Sequence, residues 1–342
     1  MSAPNDNPTI ILGTRGSELA LVQATATEKA LGLAFPHLSL RREIIKTTGD
    51  RRTDVALSEV AKSEGTFDKG VFIKELEEAL DRGDVDVAVH SLKDMPTVQE
   101  PRFAVVAVLP RAPIRDVLVS RNPGGLDAIP ANGRIGTSSV RRAKQIQWLR
   151  PDLEVIDLRG NVPTRLRRAA EDENYDGILL AEAGLIRLGY LPEISEGSAS
   201  EPILGIDGLH AVRLPEDQFY PAAGQGAVAL EIRSGDAPSQ VFCEGISHEP
   251  TMLRIRAERE FLRLLDKFVY RSTLYGHFGD GCIHGRITFE LETREGIAAM
   301  RRFMEEATDL VVKYGGSISG EHGIGLEKAD GSLASLFRLA RA

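Results

Sequence analysis

Cysteine is nearly absent: the 342 residues contain only Cys243 and Cys282. Two thiols cannot form a disulfide framework, so the sequence predicts cores that hold without cross-links and a reducing, cytoplasmic compartment. A small buried hydrophobe is the common fate of such a cysteine. Aromatic residues are also few, at 6%, and the formal net charge is −8. That composition argues against nucleic acid or a membrane surface as the main partner. No apolar run approaches the length of a membrane span. Residues 1–8 are polar, with Pro and Asn where a secretory signal would be apolar, so no such signal is expected.

The length allows two or three domains, each able to bury a core. Charge is unevenly spread. Residues 101–150 hold Arg102, Arg111, Arg115, Arg121, Arg134, Arg141, Arg142, Lys144 and Arg150, against only Asp116 and Asp127. A locally basic stretch in an acidic chain suits a pocket for a small anion, although solvated surface charge would give the same pattern. Short apolar runs alternate with helical patterns through residue 235. Strands are expected at 9–12, 40–47, 85–89, 103–109, 116–120, 134–136, 154–157, 177–180 and 227–232. Helices are expected at 17–33, 69–80, 138–149 and 162–171. This alternation predicts α/β layers with parallel sheets, and the length suits two sheets with a cleft between them. Residues 192–217, rich in Gly, Pro and Ser, read as an irregular crossover. After Pro250 the texture changes to a helix at 251–265, strands at 270–274 and 286–291, and a long helix at 294–314. These form a separate, small α+β module.

Three turns place positive charge where helices begin. They are Thr14-Arg15-Gly16-Ser17-Glu18, Gly136-Thr137-Ser138-Ser139-Val140-Arg141-Arg142, and Asp157-Leu158-Arg159-Gly160-Asn161-Val162-Pro163-Thr164-Arg165. Small polar residues cap the helices, exposed N–H groups point at a ligand, and arginines add bidentate carboxylate binding. One such turn is ordinary capping; three, each with Arg, point to an anion pocket. Asp94 and Lys93 follow a strand in Val89-His90-Ser91-Leu92-Lys93-Asp94-Met95-Pro96, at the carboxyl end where open α/β sheets place ligands. Alone, this Asp reads as a loop cap. Among guanidinium groups it reads as an acid/base residue for a polyanionic substrate whose reaction passes through a cation.

Over residues 9–264 the chain resembles the porphobilinogen deaminase (hydroxymethylbilane synthase) family. The segments that carry the resemblance are the three turns, the Asp94 segment, Lys69-Gly70-Val71-Phe72-Ile73-Lys74-Glu75-Leu76-Glu77 and Ala181-Glu182-Ala183-Gly184-Leu185-Ile186-Arg187-Leu188-Gly189. Pro221-Ala222-Ala223-Gly224-Gln225-Gly226-Ala227 and His248-Glu249-Pro250-Thr251, running into Ala257-Glu258-Arg259, complete it. The resemblance implies two periplasmic-binding-protein-like, doubly wound domains around a cleft, at 1–107 with 219–242 and at 108–218. A small C-terminal module follows at 243–342. It implies a monomer that joins four porphobilinogens with release of ammonia, building on a covalent dipyrromethane held by thioether to a cysteine. Asp94 is then the catalytic carboxylate. Arg15, Ser17, Lys69, Lys93, Thr137, Ser138, Ser139, Arg141, Arg142, Arg159, Arg165 and Arg187 would bind the acetate and propionate groups.

In that family the helix carrying Ala257-Glu258-Arg259 leads into a Gly-Gly-Cys loop bearing the primer. Here the place reads Leu264-Leu265-Asp266-Lys267-Phe268-Val269-Tyr270, and the next cysteine is Cys282, which becomes the candidate for covalent attachment. Residues 268–328 resemble instead the C-terminal domain of FAD-linked 2-hydroxy-acid oxidases, through Tyr275-Gly276-His277-Phe278-Gly279-Asp280-Gly281-Cys282-Ile283-His284 and Gly320-Glu321-His322-Gly323. That resemblance implies a divalent metal on His277, His284 and Glu321, a sound Zn²⁺ or Mn²⁺ set. The flavin-binding domain has no counterpart. Two alternatives to a deaminase-type enzyme stay open: a catalytically silent chimera with a foreign C-terminal piece, and a metal-binding oxidase remnant.

Overall fold

The computed structural model describes residues 8–47, 73–192, 200–270, 272–275, 283–314, 316–319, 328–329 and 332–341. In chain order the first elements are β1 (Thr9–Arg15), α1 (Glu18–Ala34), β2 (Ser39–Ile45), α2 (Lys74–Arg82), β3 (Val87–Ser91) and β4 (Phe103–Val108). Next come β5 (Asp116–Ser120), β6 (Arg134–Gly136), α3 (Val140–Leu149), β7 (Glu154–Ile156), α4 (Val162–Glu171), β8 (Gly177–Ala181) and α5 (Glu182–Arg187). Then follow β9 (Glu201–Pro202), β10 (His210–Arg213), β11 (Val228–Arg233) and α6 (Ala237–Glu244). The helices begin where local chemistry says they should. Ser17 caps α1 by accepting from the Ala20 N–H, Ser139 caps α3, and Asn161 caps α4 with Pro163 in its first turn. Gly83, at φ 75°, ends α2 in the left-handed conformation.

One sheet has the order β2-β1-β3-β11-β4. β1, β3, β4 and β11 are largely apolar because both faces of the sheet are covered, whereas the edge strand β2 carries Arg41, Arg42 and Glu43. Ile10 and Leu12 of β1, with Val87 and Val89 of β3, pack on Leu31 of α1 and Cys243 of α6. The alternate residues Ile11 and Ala88 turn to the other face, against Leu76, Ala79 and Leu80 of α2. The second sheet has the order β7-β6-β8-β5-β10-β9. Val117, Val119, Ile178 and Leu180 meet Leu166 and Ala169 of α4 and Leu185 of α5, while Leu118 and Leu179 are fully buried on the opposite face.

Both sheets are mixed, which corrects the expectation of parallel ones. β1 runs parallel to β2 and β3, and β6 to β7 and β8. The strands at the passages between sheets, β4 and β5 and then β10 and β11, pair antiparallel. A chain that leaves one sheet to build the other enters or returns against the run of the parallel strands. The stretch at 192–217 is also less irregular than its composition suggests. β10 pairs with β5 and β9 with β10, across a turn holding Gly205 and Gly208 at positive φ.

The chain divides into two compact units, Met1–Leu214 with Gln225–His248, and Pro215–Gly224 with Glu249–Ala342. The first contains both sheets. The second contains α7 (Glu249–Lys267), β12 (Ser272–Tyr275), β13 (Ile283–Thr288), α8 (Arg294–Lys313), β14 (Gly316–Ser319), β15 (Lys328–Ala329) and β16 (Ser332–Arg341). Its core centres on Phe303, fully buried, against which Phe268, Tyr270 and Phe289 pack with ring centroids 5.5, 5.2 and 5.8 Å away. No helix among the described residues is long and apolar enough to cross a membrane.

Candidate active site

Asp94 closes a single 3-10 turn, Leu92–Asp94, directly after β3. The Leu92 N–H donates to the Ala227 carbonyl at 3.1 Å, and the Met95 N–H to the Leu92 carbonyl at 3.0 Å, which sets the turn against β11. A cavity of about 70 Å³ opens there. Arg15 and Ser17 line it from the first helix start, Gln23 from α1, and His90, Ser91 and Asp94 from β3 and its turn. Gln23 and Ser91 are hydrogen-bonded to each other at 2.9 Å. A carboxylate therefore shares a small cavity with a guanidinium and a hydroxyl.

On the other side of the turn, Lys93 donates to Gln225 Oε1 at 3.2 Å. Gln225 is fully buried and hands the contact on: its Nε2 donates to the Ile114 carbonyl at 2.6 Å and to Asp116 at 3.2 Å. Asp116, also fully buried, accepts from Arg141 at 2.7 Å and from Nε and Nη2 of Arg142 at 3.0 and 2.7 Å. The remaining nitrogen of Arg142, Nη1, donates to the Leu179 carbonyl at 3.0 Å. Burial, and next the Arg142 charge, bring the Lys93 ammonium down to about 8, against the pull of Asp94. Burial would push the Asp116 carboxyl up, but Arg142 and Arg141 outweigh it and hold the group at about 2.

The remaining expected binders have distinct surroundings. Ser138 donates to the Leu158 carbonyl at 2.6 Å, Thr137 accepts from the Ser139 N–H at 3.1 Å, and Ser139 caps α3. Arg165 bonds the Gly160 carbonyl at 2.7 Å; burial, then Arg142, lower its pKa to about 10, while Asp157 and Asp94 oppose this. Arg187 donates to the Gly226 carbonyl at 2.6 Å, and burial lowers it to about 10. Gly226 itself admits no side chain: at φ 83° a Cβ would lie 2.3 Å from the Ala112 carbonyl oxygen. Arg159 is 8% exposed, and its Nη1 is buried without a hydrogen-bond partner among the described residues. An orphaned guanidinium nitrogen is costly, and a ligand carboxylate would satisfy it.

Lys69, Cys282, His277 and Glu321 lie outside the described residues, and His284 is described only as backbone in β13. Among the described residues no group of three His, Cys, Asp or Glu side chains could hold a metal ion. Cys243 is buried in the first sheet's core, where burial pushes its thiol up to about 12.

The structure thus brings Arg15, Ser17 and Asp94 to one cavity, and Lys93, Arg141 and Arg142 to one polar chain. Asp94 also acts electrostatically on Lys93 and Arg165. Sequence reasoning passed over Asp116, Gln225, His90 and Glu231. For Asp116 a signal existed, since it is one of only two acids in the basic stretch at 101–150. Gln225 stood in a quoted motif without a role.

Residues 10–240 match the family described as "Porphobilinogen deaminase, dipyromethane cofactor binding domain". Residues 231–335 match "FAD linked oxidases, C-terminal domain". The porphobilinogen deaminase of Moorella thermoacetica is 44% identical over 257 residues, 75% of each chain. That of Syntrophomonas wolfei is 42% identical over 254 residues, 74% of this chain and 76% of its own. A probable porphobilinogen deaminase of Methanococcoides burtonii is 42% identical over 256 residues, 75% of this chain and 73% of its own. By these matches the chain belongs to the porphobilinogen deaminase family.

Proposed function

We propose that the chain is a hydroxymethylbilane synthase-type transferase, joining porphobilinogens with loss of ammonia and with Asp94 as its proton-transfer carboxylate. The observation that carries this reading is the cavity in which Asp94 meets Arg15 and Ser17. Porphobilinogen brings an acetate and a propionate, which a guanidinium and a capped helix start suit. Loss of its amine leaves a cation on the pyrrole, and attack on that cation leaves a proton to be removed. A fixed carboxylate serves both needs, by stabilising positive charge and by carrying the proton. The lobes of this site are proposed as 1–107 with 219–242 and 108–218, with residues 243–342 as a third domain.

A dipyrromethane fits the donors present, since the orphaned Nη1 of Arg159 and the cavity's Arg15 suit its carboxylates. When bound, it supplies the pyrrole carbon onto which substrate is joined. Arg15, Ser17, Lys93, Arg159 and Arg165 would hold it, with Lys69, Thr137, Ser138, Arg141 and Arg187 contributing by resemblance. Cys243 does not suit a thioether, because its thiol is buried and held near 12. With two cysteines in the chain, attachment falls to Cys282.

The test is to incubate the full chain with porphobilinogen and measure ammonia release alongside intact mass. Ammonia release that Asp94→Asn lowers by roughly 100-fold or more, and an adduct that Cys282→Ala abolishes, are expected. A chain that releases no ammonia and carries no adduct would overturn the reading. It would support a second one, a silent chimera, which the match of residues 231–335 to the oxidase C-terminal family favours.

A further inference from the structure

β3 departs from its apolar pattern at one buried position. Val87 and Val89 face α1, while Ala88 and His90 face α2, and His90 is only 5% exposed. A histidine on an apolar face needs a partner, and β11 provides one. The antiparallel register sets His90 opposite Ala229 and Ala88 opposite Glu231, so Glu231 is the diagonal neighbour of His90 on the same face. Glu231 is 0% exposed, and its Oε2 lies 3.0 Å from His90 Nε2, a close contact outside hydrogen-bond geometry that becomes an ion pair when the imidazole is protonated. Its other oxygen is hydrogen-bonded: Gln99 Nε2 donates to Oε1 at 2.8 Å.

His90 and Gln99 bracket Asp94 in the chain. His90 lies in the last two residues of the strand before the turn and Gln99 belongs to the segment after it, so one buried carboxylate touches both arms of the loop. Two further features suit this arrangement. The register of β11 against β4 shifts between Leu230 and Glu231, an irregularity of the kind that re-aims a side chain beside a site. Glu77 of α2 faces the same cluster and is pushed up to about 7, first by burial and then by the Glu231 charge, with His90 opposing. Below that value Glu77 carries a proton, which spares Glu231 a like-charged neighbour. His90 also lines the cavity that Asp94 shares with Arg15 and Ser17, so the tie ends at the wall of the site.

We propose that Glu231 is a positioning residue for Asp94, stapling His90 to Gln99 and so fixing the loop that carries the proton-transfer carboxylate. Its catalytic consequence rests on the role proposed for Asp94; its structural consequence does not. The experiment uses the full-length chain with Glu231→Gln, which keeps the size and removes the charge, and Gln99→Ala, which removes one arm and leaves the His90–Glu231 contact. Amide hydrogen exchange at Leu92 and Met95 is expected to quicken by about 10-fold in both variants, while the amides that pair β1 with β2 stay unchanged. The kcat for ammonia release is expected to fall about 10-fold, with the KM for porphobilinogen changed less than twofold. Unchanged exchange at Leu92 and Met95, or an equal rise throughout the sheet, would overturn the staple. A loosened loop with intact kcat would overturn its link to catalysis. Should the wild-type chain release no ammonia, the proposed activity fails by itself, and the exchange measurement still decides the staple. If Glu231→Gln does not fold, Gln99→Ala decides both.

Discussion

Asp116→Asn is expected to cost the first unit about 3–5 kcal/mol, the range for removing one partner of a buried ion pair. The geometry gives the reason. Asp116 is fully buried and accepts from Arg141 at 2.7 Å, from Arg142 at 3.0 and 2.7 Å, and from Gln225 at 3.2 Å. An asparagine replaces one of its oxygens by an N–H₂ group, which would face guanidinium donors, and leaves Arg142, 6% exposed, without a counter-charge. The pKa gives a second measure. The group falls from 3.8 to about 2 although burial pushes it up, because Arg142 and Arg141 outweigh burial. That difference corresponds to about 2 kcal/mol in favour of the ionised form. A carboxylate depressed in the folded state stabilises above its unfolded pKa, so this contribution is complete above about pH 4 and is lost as pH falls toward 2. Urea unfolding followed by circular dichroism at pH 7, 4 and 3 measures both quantities. The variant is expected to lose stability at pH 7 and to show a shallower decline toward pH 3 than the wild type. Asp116→Asn combined with Arg142→Met is expected to regain most of the loss, since the stranded charge is then gone. A loss below about 1 kcal/mol, or a double variant as unstable as the sum of the singles, would refute the reasoning.

Lys93, brought down to about 8, is expected to lose its charge as pH rises through that value, so carboxylate binding weakens between pH 7 and 9. A KM for porphobilinogen that climbs over this range in the wild type, and stays flat in Lys93→Arg, checks it; equal profiles would count against it. Cys243, with its thiol near 12, is expected to stay unlabelled by iodoacetamide at pH 8, where the thiolate fraction is on the order of 10⁻⁴. It should label fully in guanidinium, and peptide mass analysis reads both. Val269, 86% exposed, holds φ at 58°, a left-handed conformation that penalises a β-branched residue. Val269→Gly is expected to stabilise the second unit by about 1 kcal/mol, seen as a higher Tm; a lower Tm would contradict this.

Much of the fold was legible because its causes are local. The caps at Ser17, Ser139 and Asn161 lie within three residues of the N–H groups they bind, so each helix start could be read in place. Strands buried on both faces show as apolar runs, and β3, β5 and β8 were found that way. The passages between sheets were not legible. Strand direction at β4, β5, β10 and β11 depends on which sheet the chain enters, and no local pattern records that. In the second unit the expected strand at 286–291 falls instead at Ile283–Thr288, since short strands with few apolar residues have weak boundaries.

By itself the sequence determined the site's chemical content: Asp94 after a strand, arginines at helix starts, and a family whose motifs run through most of the chain. Only the tertiary structure decided which of those charges line the cavity and which face each other. Arg142 looked the equal of Arg15, yet it is turned onto Asp116, some 26 residues away in the chain, while Arg15 lines the cavity with Asp94. Likewise nothing near Asp94 in the chain announces Glu231, which reaches His90 and Gln99 only because β11 pairs with β3. The physical reason is common to both cases. Charge and hydrogen bonding act through distances of a few ångströms, and chain separation does not fix those distances until the sheets are built.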